Sequence, residues 1–336
     1  MDSDGEASVE RYSDSALDFE LPTVLAQLDS DDPSSREQAL ETVRSAVDTH
    51  PEACLPTVPK LRKLLSEHSA ESSDAIAYCL AELAYESPDD VAPSTSGILS
   101  FLITNEPESA ARDLFRSLHA IAEERPDTVI DHVDELLAVL EGRETVDRWG
   151  VEILAELSRE YPTELTPAIP ILRETLARTP QKGGVSALST LGRVVRAETT
   201  VELEFVDDVV SLVDHDDRAL RNNAIACLGD IARTSPSTVE ASCPTIAGAL
   251  ESEDPNTRAN AAVTIGRVAA ETNDAGQAQQ RLLELLSDDH AHVRANACTA
   301  IGYGEVEDAR DTLEVLAAED PNAAVRERAA WASAQL

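Results

Sequence analysis

The chain has 336 residues, a formal net charge of -37 and only 3% aromatic residues. That charge excludes direct nucleic-acid binding, because phosphate contact needs a positive surface. So few aromatics exclude a handful of large ring-filled cores and favour many thin layers of alanine and aliphatic side chains.

Residues 1–18 are rich in Ser and acids with little apolar content, and they read as an acidic mobile tail. From residue 19 onward, helical periodicity takes over. A first marker recurs at Pro51, Pro88, Pro126, Pro162 and Pro236, with a Val or Leu three residues later at Val91, Val129, Leu165 and Val239. In the first copy Leu55 sits one place further on, and Thr199 stands where a sixth Pro is expected, ahead of Val201. A second marker is an Arg followed three residues later by Ala. It appears at Arg36, Arg221, Arg258, Arg294 and Arg326, and Arg221, Arg258 and Arg294 lie 37 and 36 residues apart. A weaker copy runs from Gly184 to Gly192. Two markers sharing a period indicate internal repetition.

Between the markers, apolar residues fall at i, i+3, i+4 and i+7, as from Val58 to Leu65 and from Ile76 to Leu80. This spacing predicts two amphipathic helices per repeat. Short acidic turns separate them, including Asp31–Pro33, Asp214–Asp217, Glu253–Pro255, Asp288–Asp289 and Asp320–Pro321. Acids there suit helix N-termini, and Pro suits a first helical position. Gly192, Gly229, Gly266 and Gly302 recur at one register and cost helix propensity, which predicts close helix–helix approach.

An antiparallel helix pair with an acidic, Pro-bearing inner turn followed by Arg-x-x-Ala, as in Asp254-Pro255-Asn256-Thr257-Arg258-Ala259-Asn260-Ala261, resembles the HEAT repeat. The final units, Leu282 to Leu336, are similar to the shorter HEAT-like subtype of the phycobilin lyases. The resemblance implies an all-α α-solenoid of about nine helix pairs over 19–336, with degenerate repeats over 19–200 and well-formed ones over 201–336. Each pair has too little core to fold alone, so stability comes from stacking. The 34-residue tetratricopeptide pattern of Trp, Gly and Tyr is absent.

Abundant Asp and Glu beside only three lysines, Lys60, Lys63 and Lys182, resemble the proteins of haloarchaeal-type, salt-accumulating cytoplasm. Five dispersed cysteines, Cys54, Cys79, Cys227, Cys243 and Cys298, argue against a disulfide framework and suit a reducing, cytoplasmic setting. No apolar run approaches the length of a membrane helix, so no membrane insertion is expected. The N-terminus lacks the basic and apolar regions of a signal peptide.

Catalytic signatures are missing. Lys182-Gly183-Gly184 lacks phosphate-loop spacing, and neither GxSxG nor HExxH occurs. His290 and His292 flank Ala291 in an acidic turn, a conceivable metal pair that reads as a solvated turn. No histidine is followed by Glu, so the His-Glu iron pairs of the deoxyhypusine hydroxylases are absent. The negative charge contradicts the basic groove of HEAT-like DNA glycosylases. No cofactor and no metal ligand set are expected.

The turn arginines Arg36, Arg221, Arg258, Arg294 and Arg326 are expected to pair with Asp of their own or the neighbouring turn, as a structural ladder. At 100° per residue, positions two and nine after the turn Arg fall opposite the core. They place Arg193, Asp230, Arg267 and Tyr303 in one column, with Asn223, Asn260 and Asn296 beside it, on the face that lines a HEAT solenoid's groove. This column is the candidate partner surface. The expected function is a non-catalytic scaffold or adaptor binding a protein partner. The alternatives are a lyase-like enzyme or cofactor-assembly factor, and a regulatory subunit of a signalling, motility or chromosome-associated complex.

Overall fold

The computed structural model describes residues 20–67, 72–104, 108–143 and 148–336, so the tail expected at 1–18 lies outside the described residues. The described residues are predominantly helical and contain no strand. They form nine successive helix pairs in an α-solenoid arrangement. The second helices are Pro33–Val47, Ser73–Glu86, Glu108–Glu124, Arg148–Leu157, Pro180–Ala197, Arg218–Thr234, Pro255–Thr272, Ala291–Tyr303 and Ala323–Ser333.

Acidic and amide caps start several of these helices. The Asp32 carboxylate accepts from the Ser35 N–H at 3.1 Å, and Pro33 follows as the first helical residue. Asp254 caps the Thr257 N–H in the same way ahead of Pro255. Asp217 and Asn322 cap two N–H groups each. Each such cap contributes roughly 1 kcal/mol.

The first helices are broken near their starts. Pro51–Cys54 precedes Val58–Ser66, Pro88–Val91 precedes Thr95–Thr104, and Pro126–Ile130 precedes Val133–Glu141. Each proline occupies the opening turn, where no N–H partner is lost. The residue three places later points into the core: Cys54, Val91, Val129, Leu165 and Val239 are fully buried. Two expectations are corrected here. Cys54, not Leu55, fills the first position, because the three-residue spacing holds and the thiol packs as a small apolar group. At the missing proline, Val201 is only half-buried and Phe205 takes the core position instead.

The chain divides into two compact units, Met1–Ser117 and Leu118–Leu336. In the first, Leu61, Leu65, Ile76, Leu80, Ile98 and Leu114 are among the fully buried side chains. Its polar seams are ionic: Arg116 bonds Glu82 and Asp113, both at 2.9 Å, and lies over the Tyr85 ring. In the second unit, the second helices from Pro180–Ala197 to Ala323–Ser333 pack on one another in succession. The register of small residues explains how closely. A methyl group on Gly266 would lie 3.1 Å from the Ala300 Cα, and one on Gly302 would lie 3.0 Å from the Ala332 Cα. These helices approach backbone to backbone, so the glycines' propensity cost is offset by tighter packing across the seam.

All five cysteines are free thiols. Burial pushes Cys54 and Cys243 up to about 11 and Cys79 and Cys298 up to about 12, so they are packing groups and poor nucleophiles near neutral pH.

Candidate functional site

The turn arginines follow one geometric rule. Each donates from Nη1 to the backbone carbonyl six residues earlier: Arg36 to Ser30, Arg221 to His215, Arg258 to Ser252, Arg294 to Asp288 and Arg326 to Asp320. The bond ties the second helix to the turn that precedes it. Where that sixth residue is Asp, its carboxylate also receives the arginine of the preceding pair. Arg258 grips Asp288 with two bonds of 2.7 and 3.0 Å, and Arg294 grips Asp320 at 2.8 and 3.0 Å. The forked guanidinium thus bridges two turns at once, which a lysine cannot do.

The expected carboxylate partner is not found for Arg36, Arg221 or Arg326 among the described residues. Arg326 lies in the last of the nine described pairs. For Arg221 the cause is a single side chain: the position matching Asp288 and Asp320 is Ser252. The buried Arg221 Nε is left without a hydrogen-bond partner. Ser252 keeps only the local half of the Asp role, accepting from the Asp254 N–H at 3.3 Å as Asp288 accepts from the His290 N–H at 2.8 Å. Asn222 and Thr257 bond Asp254 instead and lend this turn a different brace. Ser252→Asp is therefore expected to complete the ladder and raise stability by about 1.5–3 kcal/mol, the range for bonds to charged groups. Denaturant unfolding of this variant checks it, with the gain abolished when Arg221 is also replaced by Gln. An unchanged or lowered midpoint in the single variant contradicts the ladder rule.

The expected column is placed differently from the helical-wheel reading. Arg193, Asp230 and Arg267 are half-buried in the seam between consecutive second helices. Arg193 donates to the Ser158 hydroxyl at 2.9 Å and to the Ala155 carbonyl. Asp230 lies 3.5 Å from Arg267 and 3.7 Å from Arg196. Burial raises the Asp230 carboxyl above its ordinary value against the pull of both guanidiniums. Asn223 bonds the Ala219 carbonyl of its own helix, and Asn296 crosses to the Ala259 carbonyl of the helix before. Asn260 is half-buried in the same seam. The wheel measures angles against a helix's own pair, but each second helix here also has second helices on its flanks. The side opposite the core is therefore partly covered.

Tyr303 stays 40% exposed, edge-on to the Trp331 ring at 4.9 Å. It shares a cleft of about 670 Å³ with Arg267, Arg233, Ser235, Thr238 and Glu271. Arg233 is exposed and makes no ion pair with a described residue, although it lies within the field of Asp230. Sequence reasoning missed Arg233. Its signal was available, three residues beyond Asp230 on the same helix, where i, i+3 residues share a face. The cleft offers two guanidiniums, hydroxyls and an aromatic ring, a donor-rich set that suits a carboxylate-bearing segment.

A second cleft, of about 660 Å³, opens between Ile169–Arg178 and the short helix Val206–Val210. Ile169, Val201 and Phe205 line it beside Arg173, which Asp208 holds at 2.7 Å. The His290–His292 turn is already engaged: Asp288 beneath it is committed to Arg258, and His290 Nδ1 lies 3.3 Å from the same carboxylate.

A different cluster unites residues that the sequence does not place together. His119 and Glu123 lie one turn apart on Glu108–Glu124, and Glu156 joins them from the next second helix, with ligand-type atoms all within 4.8 Å. The His-x-x-x-Glu spacing was legible, but the third member was not.

The sequence profile of HEAT repeats matches residues 206–289 and 279–336. No curated protein matches the chain. One solved structure, described as that of an engineered protein, is similar with a TM-score of 0.78 and 18% identity, covering 93% of this chain and 87% of that chain. That likeness concerns the fold alone. Over residues 206–336 the regular Arg-to-carbonyl turn, the glycine seam and the matched profile agree, and this part of the chain is built of HEAT repeats.

Proposed function

We propose that the chain is a non-catalytic scaffold or adaptor that binds a protein partner through the second-helix face of residues 118–336. The observation that carries this reading is the cleft of Arg233, Arg267 and Tyr303, where a guanidinium without an ion-pair partner among the described residues shares the lining with an exposed ring. Arg and Tyr are the residue types that concentrate binding energy at interfaces. Helical-pair repeats generally present extended surfaces to protein partners. A cytoplasmic location suits the five free thiols, and no helix among the described residues is long and apolar enough to cross a membrane.

Tagged protein captured from its native source, at that source's ionic strength, tests the reading. Arg233→Glu combined with Tyr303→Ala leaves the ladder untouched and removes one ring contact, that of Tyr303 with Trp331, so a thermal melt of the double variant accompanies the capture. A stoichiometric protein partner is expected with the wild type, reduced at least about tenfold by the double variant, the order of effect of one interface hot spot. Equal recovery with both proteins overturns the assignment of the face. Replacing Asp230 and Arg267 would be a poorer test, because both residues brace neighbouring helices.

A further inference from the structure

From the cluster of His119, Glu123 and Glu156 we infer a binding site for a divalent transition-metal ion of the zinc class. The three groups come from two neighbouring second helices, and all three residues lie in the Leu118–Leu336 unit. His119 Nδ1 is buried and has no hydrogen-bond partner among the described residues. Its side chain is only 11% exposed, and the nearest carboxylate oxygen, on Glu123, stands 3.7 Å away. A buried imidazole nitrogen facing carboxylates without a bond calls for a cation. A proton on Nδ1 would draw Glu123 in to about 2.8 Å, the length of a charge-assisted bond. The wider spacing, with Glu156 on the other side, leaves room for an ion among all three.

The chemistry of the donor set fits. Zinc-class ions take imidazole nitrogen at about 2.0–2.1 Å and carboxylate oxygen at about 2.0–2.2 Å, so four-coordinate ligands stand roughly 3.3 Å apart. Closing the present spread to that distance needs side-chain rotation only. Glu123 is 48% exposed and turns freely. Glu156 is held by Arg159 at 2.6 Å, and Arg159, being 62% exposed, yields to water when the ion arrives. Arg193, a second guanidinium within the field of Glu156, is tied to Ser158 and the Ala155 carbonyl and stays in place. Two carboxylates and one neutral imidazole balance the charge of a divalent ion. The exposed side toward Glu123 leaves the fourth position to water. Trp149 packs edge-on against the His119 ring at 5.2 Å and fixes its plane.

The test uses cobalt(II) chloride as a visible-absorbing stand-in, titrated into the intact chain. One equivalent is expected to produce d–d absorption bands and to be displaced by zinc. Glu123→Gln, at an exposed position that should not disturb folding, is expected to weaken binding at least tenfold. His119→Ala should do the same, and Arg159→Ala, which removes the competitor for Glu156, should tighten binding several-fold. His290→Ala with His292→Ala should leave it unchanged. Absence of bands at millimolar cobalt, or binding indifferent to Glu123→Gln, overturns the site. The latter result, with His119 titrating as a simple imidazolium by NMR, would assign the cluster to a proton instead.

Discussion

Gly266→Val is expected to destabilise the second unit by about 3 kcal/mol, the upper part of the range for overpacking a close-packed contact. A first methyl at this position already meets the Ala300 Cα at 3.1 Å and its Cβ at 3.3 Å. The obstacle is backbone, so no rotamer change relieves it, and a branched side chain must push the helix Ala291–Tyr303 away. For a unit of this size the loss corresponds to a fall in Tm of about 6–12 °C. Gly248→Ala is the matched control. Nothing lies within 4 Å of the added methyl there, so it should be neutral or stabilising by up to about 1 kcal/mol. If both variants unfold at the same temperature as the wild type, the glycine register has no packing role.

Arg294→Ala should cost about 3 kcal/mol, the low end for breaking a buried pair from one side. Arg294 and Asp320 are 12% and 3% exposed, so the variant strands a carboxylate in a dry turn. It also removes the bond to the Asp288 carbonyl, and so releases the ladder at two turns. The same pair predicts how stability depends on pH. The bonds from Arg294 hold the Asp320 carboxyl below the usual carboxylate range. At Asp288, burial alone would raise the carboxyl, but Arg258 and the His290 N–H outweigh it and the result is again lowered. A carboxyl depressed in the folded state stabilises fully above its unfolded value of about 3.9, and that contribution is lost as pH falls through the folded value. Acid unfolding of the wild type should therefore steepen below about pH 4. Asp320→Asn should be less stable at neutral pH and should show a shallower dependence there. Parallel acid-unfolding curves for the two proteins would rule out this role for Asp320.

Much of this architecture is legible because the repeat writes the same physical requirement again and again. Asp at a turn, Pro after it and Arg four residues past the acid specify a capped helix tied back to its own turn. Gly at one register specifies a seam. What is not legible depends on a neighbour a whole repeat away. Arg221 looks the same as Arg258 in sequence, but its partner is decided by Ser252 in the following turn. Arg193 and Asp230 look solvent-facing on a wheel, and the flanking helix covers them. Cys54 replaces Leu55 in the core because spacing outweighs side-chain size. Phe205 replaces Val201 because the Pro that would start a helix after 198 is missing and the chain runs on without regular helix to Phe205. Glu156 reaches His119 across a helix boundary that no motif marks.

The face assigned to partner binding is tested most directly by hydrogen–deuterium exchange of the chain alone and with its captured partner. Binding through the Arg233–Arg267–Tyr303 cleft predicts slowed exchange over residues 233–238, 267–271 and around 303, with the first helices beyond 236–238 unchanged. Protection confined instead to Ile169–Arg178 and the 198–208 segment would place the partner in the cleft of Ile169, Val201 and Phe205 and contradict the assignment.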